Sequence, residues 1–60
     1  MRTWKFELDH CYIEVNYYED WNTYGVHLRY YSGWEADFKS YKNKGAVNRY
    51  LKSWGIGDRI

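Results

Sequence analysis

The chain predicts an α+β domain, a four-stranded antiparallel meander (β-β-β-β-α) with one C-terminal amphipathic helix packed on one face. Two observations carry this expectation. Large β-forming side chains alternate with polar ones in four short runs: Trp4, Phe6, Leu8; Ile13, Val15, Tyr17; Tyr24, Val26, Leu28, Tyr30; and Trp34, Ala36, Phe38. Such period-two alternation marks strands with one face in a core. The rhythm then changes to a helical stripe at Ala46, Val47, Tyr50, Leu51 and Trp54.

The first two runs agree in register. A two-residue turn at Asp9-His10 sets Leu8 opposite Cys11 and keeps Trp4, Phe6 and Leu8 on one face with Ile13, Val15 and Tyr17. A slip of one residue would turn every apolar group to solvent, so strands are expected over about 2–9 and about 11–18. The turn lacks glycine, which leaves a bent continuous strand as the other reading. A polar loop, Glu19-Asp20-Trp21-Asn22-Thr23, leads to a third strand over about 24–31. Tyr31-Ser32-Gly33 fits a three-residue hairpin loop with Gly33 in the left-handed position, pairing Tyr30 with Trp34 and opening a fourth strand over about 34–39. The helix is expected over about 41–54, with Ser40 or Asn43 as N-cap and Gly55 ending it, Ile56 folding back toward Leu51. Residues 55–60 are expected to form a tail, loose from Gly57 onward.

Sixty residues make a single domain, 1–60, near the lower limit for unaided folding. Lone Cys11 excludes an internal disulfide, so the fourteen aromatic side chains are the expected compensation. Each buries roughly 150–250 Å². No segment approaches the roughly 20 apolar residues that span a bilayer, and Met1-Arg2-Thr3-Trp4-Lys5 contains no apolar signal core. The expectation is a cytoplasmic protein (host cytoplasm if the source is viral) with no cofactor and no membrane contact.

Net charge of +1 conceals an asymmetry. Residues 1–37 carry three cations against seven carboxylates, a net of −4; residues 38–60 carry six cations against Asp58, a net of +5. With one sheet face under the helix, the other should display Lys5, Glu7 and Asp9; Tyr12, Glu14, Asn16 and Tyr18; His27, Arg29 and Tyr31; and Glu35, Asp37 and Lys39. Tyrosine and arginine are enriched at interface hot spots. The expected partner-binding residues are therefore Tyr12, Glu14, Tyr18, Trp21, His27, Arg29, Tyr31 and Glu35, on an acidic, aromatic face. The bland alternative is that these aromatics only brace the sheet through cross-strand pairs, at roughly 0.2–1 kcal/mol each. On the helix, Lys42, Lys44, Arg49 and Lys52 form a candidate phosphate-binding face, or else an ordinary solvated one.

Enzymatic chemistry finds little support in the residues. His10, His27 and Cys11 fall short of the four ligands of a structural zinc site, and parity puts Cys11 and His27 on opposite faces. Carboxylate pairs such as Glu35 with Asp37 are expected on any open strand, and Gly55-Ile56-Gly57 follows a helix, the wrong context for cradling phosphate.

The expected function is a small non-enzymatic interaction module. Its acidic aromatic face would dock onto a larger protein, one that handles nucleic acid included, as an inhibitor or modulator. By analogy this is similar to the strategy of small phage-encoded inhibitors of host nucleic-acid enzymes, although no motif assigns the chain to such a family. The alternative is a nucleic-acid-binding domain using the basic helix face. A sheet backed by one helix resembles the layout of sheet-type DNA readers and integrase arm-binding domains, and Trp34-Glu35-Ala36-Asp37-Phe38-Lys39-Ser40 is only loosely like theirs. Those readers carry basic sheet faces, which this one lacks. Carbohydrate binding on a tryptophan and tyrosine platform ranks last, and self-association of the opposed faces would give a homo-oligomer.

Overall fold

In the computed structural model, which describes residues 1–60, strands β1 (Arg2–Glu7), β2 (Cys11–Tyr18), β3 (Thr23–Tyr30) and β4 (Glu35–Tyr41) form one antiparallel sheet in the order β1-β2-β3-β4. Helix α1 (Lys44–Ser53) follows and packs on one face. The meander is the expected one. No helix is long and apolar enough to cross a membrane.

Local chemistry explains the corners. The Leu8 amide donates to the Cys11 carbonyl at 2.8 Å, closing the two-residue turn, and neither Asp9 nor His10 adopts a positive φ. Gly33 at φ 105° lets the Tyr31-Ser32-Gly33 loop close, with the Tyr30 amide donating to the Trp34 carbonyl at 2.8 Å. The Asn43 side chain accepts from the Ala46 amide at 2.8 Å, and so begins the helix at Lys44. Residue 41 belongs to β4, which shortens the helix relative to its sequence pattern. At the other end Gly55 (φ 78°) donates to the Lys52 carbonyl and Ile56 to the Leu51 carbonyl, a Schellman end that returns Ile56 to the core.

Ile13, Val15, Val26, Val47 and Leu51 are fully sealed and form the core. Each contributes roughly 1.5–3 kcal/mol by burial. The aromatic rings surround this aliphatic centre rather than form it: Trp4, Phe6, Tyr24, Tyr41 and Tyr50 are its half-buried rim.

Two expectations are corrected. In β4 the register shifts at Leu28/Arg29, so that Arg29 pairs with Glu35 and Leu28 with Asp37. Ala36 is the extra residue of this bulge, and alternation inverts beyond it. Phe38 therefore stands on the open face, while Asp37 and Lys39 share the helix side with Leu28 and Val26, joined by a 3.6 Å ion pair. The second correction concerns the C-terminal segment. The Asn48 side-chain oxygen accepts from the amides of Arg59 (3.1 Å) and Ile60 (3.0 Å), and Ile60 packs on the core. A helix side chain thus ties down residues whose own sequence carries no structural signal.

Candidate functional site

Register assembles the open sheet face in rows across the strands. One row is Glu7, Tyr12, Arg29, Glu35; the next is Lys5, Glu14, His27, Phe38; the third is Thr3, Asn16, Gly25, Ser40; Tyr18 and Thr23 begin a fourth. Seven of the eight expected partner-binding residues lie on this face or directly on it. Tyr31 leaves the β3–β4 loop to stack on Tyr12 at 5.7 Å and donates its hydroxyl to the Leu8 carbonyl at 2.8 Å. The eighth, Trp21, is 71% exposed and rests on Tyr18 at 5.7 Å, extending the face at its far end instead of folding back on the core.

Sequence reasoning missed Phe38. Its ring packs on His27 at 4.6 Å and leans with Tyr18 over Gly25, whose missing side chain leaves room for both. One signal could have found it: the glycine inside β3, which marks a close approach by neighbouring side chains. Lys5 also belongs here, its ammonium 4.5 Å above the Tyr12 ring.

A polar network binds the centre. Arg29 lies 3.8 Å from Glu14 and 3.7 Å from Glu35, and the Tyr12 hydroxyl together with these carboxylates raises its basicity against some loss of solvent. The His27 Nδ1 is 2.5 Å from Glu35, and this hydrogen bond, aided by the charge of Arg29, holds the Glu35 carboxyl below its ordinary value. An ionised Glu35 can only accept, so Nδ1 carries the proton. The 3.4 Å approach of Arg29 to the same nitrogen is then no hydrogen bond. Partial desolvation and the nearby Glu7 raise the Tyr31 phenol, which stays neutral and donates. Beneath lies buried Asn16, which accepts from Thr3 at 2.8 Å and donates to Glu14 at 3.1 Å.

The face is not acidic, contrary to expectation. Inverted β4 parity moves Asp37 and Lys39 to the helix side together and leaves the balance unchanged. Asp9, however, lies in the β1–β2 turn, and Lys42 reaches the Thr23 hydroxyl at 3.1 Å, so Glu7, Glu14 and Glu35 are matched by Lys5, Arg29 and Lys42. Partly exposed ion pairs of this kind add little stability and serve to fix the side chains in place. The His27–Glu35 pair has the orienting geometry of a general base, but the pair lines none of the four surface hollows. Acid–base catalysis works from a water-excluding cleft. No group of three His, Cys, Asp or Glu is placed to hold a metal ion; half-buried Cys11 lies on the helix side, opposite His27.

The basic helix residues do not converge. Lys42 is held at the end of the sheet by Thr23, Lys52 pairs with Asp58 at 3.4 Å, and Arg49 flanks Tyr41 and Tyr50. Lys44 faces a different hollow altogether, near Arg2 and Arg59. No protein-family model, curated protein or solved structure matches the chain.

Proposed function

We propose that the chain is a small non-enzymatic interaction module that docks its open sheet face onto a larger protein and modulates that protein by occupying its surface. One observation carries the reading. Three aromatic pairs, Tyr12–Tyr31, Tyr18–Trp21 and His27–Phe38, stand along one face between mutually paired charges. Tyr31, Phe38 and Trp21 are each more than half exposed on this face. Rings held by neighbours lose little freedom on binding, and aromatics with arginine are the residue types that anchor interfaces.

Balanced charge changes the kind of partner this face suits. A uniformly basic groove gains little from it, whereas a surface of alternating charge around apolar pockets matches its rows. The β2–β3 loop end is acid-rich, where Glu19 and Asp20 flank Trp21, and there a basic patch on a nucleic-acid-handling protein would find its complement.

The test is affinity capture from a lysate of the source cells with the wild-type chain, Tyr12→Ala, Glu14→Lys, Phe38→Ala and the helix-side control Arg49→Glu. One protein held by wild type and control, and lost from all three face variants, supports the reading. Equal retention by every variant removes the face from consideration, and a doubled mass in solution without any other protein replaces it with self-association.

A further inference from the structure

We propose that a groove on the helix side binds a nucleotide unit, its phosphate between Arg2, Lys44 and Arg59 and its base against the rings of Trp4, Tyr17 and Tyr24. This site lies on the opposite side of the sheet from the docking face and does not depend on it. Its three cations come from three segments: the start of β1, the first residue of α1, and the C-terminal segment fixed by Asn48. They line one hollow of about 250 Å³ together with the three rings and Ile60.

None of the three cations takes part in an ion pair; of the other six lysines and arginines, Arg29, Lys39 and Lys52 do. Arg2 is instead laid over the Trp4 ring, its guanidinium 4.6 Å from the ring centroid, which fixes the fork without using its donors. Tyr17 and Tyr24 stack at 4.6 Å, and Trp4 stands 6.5 Å from Tyr24, so the rings form a continuous wall. No carboxylate side chain lines the hollow; where the chain ends at Ile60, its terminal carboxylate leaves two positive charges in excess. Three free cations beside an aromatic wall is the chemistry that takes a phosphate and stacks a base. The volume falls below the roughly 300–1,000 Å³ of pockets that enclose a whole drug-sized ligand, so the hollow takes the phosphate and sugar edge while the base lies along the rim.

The experiment is fluorescence anisotropy of a labelled oligothymidylate about twelve nucleotides long, with AMP and inorganic phosphate as competitors. One phosphate seated among the three cations on a single strand gives a salt slope of about −0.7. Lys44→Gln and Arg59→Gln each weaken binding roughly fivefold and flatten the salt slope, whereas Lys42→Gln and Lys52→Gln stay within about twofold and keep it. Both groove side chains are exposed, and circular dichroism checks that the variants stay folded. Displacement by AMP identifies a free nucleotide as sufficient; binding that AMP leaves intact identifies the strand. No saturable binding overturns the site, as does equal weakening by Lys42→Gln and Lys52→Gln. Inorganic phosphate competing as well as AMP overturns the nucleotide assignment, because the rings would then contribute nothing.

Discussion

Replacing Asn48 by alanine tests how the C-terminal segment is held. The Asn48 oxygen accepts from two backbone amides, those of Arg59 and Ile60. Each such bond contributes about 1 kcal/mol net. Ile60 is half-buried against the core, and losing its packing costs about another 1 kcal/mol, part of the roughly 1.5–3 kcal/mol of full burial. Alanine is the better helix former and recovers roughly 0.5 kcal/mol. The balance is a loss of about 2–2.5 kcal/mol, which for a domain of this size lowers Tm by roughly 10–20 °C. Thermal and urea unfolding followed by far-ultraviolet circular dichroism measures it directly. Asn48→Asp keeps an acceptor for both amides and is expected to lose less than about 1 kcal/mol. A loss below about 0.5 kcal/mol in Asn48→Ala, or equal losses in the two variants, would refute the clamp.

Two more outcomes follow from the open face. A side chain at Gly25 would meet Tyr18 at 3.2 Å and Phe38 at 3.4 Å, so Gly25→Val is expected to destabilise by about 1–2 kcal/mol in urea unfolding and to displace both rings, while Gly25→Ala stays near neutral because exposed rings can swing aside. The depressed Glu35 carboxyl contributes stability that is present above its unfolded value, about 4.3, and is lost as pH falls through its lower folded value. Urea midpoints measured between about pH 6 and pH 2.5 should therefore fall less steeply at the acid end for Glu35→Gln than for wild type, and parallel curves would sink the assignment.

Elements whose causes are local were legible in the residues. Asp9-His10 preserved parity between two apolar runs, Gly33 supplied the positive φ of its loop, and Asn43 and Gly55-Ile56 closed the helix with side-chain and backbone bonds a few residues away. These devices gave the strand order and seven of the eight residues on the candidate face. Trp34-Glu35-Ala36-Asp37-Phe38 misled because its alternation is complete, so nothing within it announces a bulge. An edge strand exposed on both sides has no strong apolar set to fix its register. The pairing comes from residues far along the chain: Arg29 and His27 hold Glu35, and Gly25 makes room for Phe38. The clamp at Asn48 spans eleven and twelve residues and likewise leaves no local trace. The acidic character read from composition failed for a different reason: the bulge takes Asp37 and Lys39 off the open side together, and the balance comes from Lys42, which the sequence assigned to the helix face but which reaches Thr23 at the end of the sheet.

Nuclear Overhauser contacts of the Phe38 ring give the most direct measurement of how this face is built. Contacts from Phe38 to Gly25, His27 and Tyr18 are the predicted result, with none to Val47 or Leu51. Contacts from Phe38 to the two helix residues would mean that alternation runs unbroken through β4, and the face assembled from Tyr12 to Phe38 would not exist.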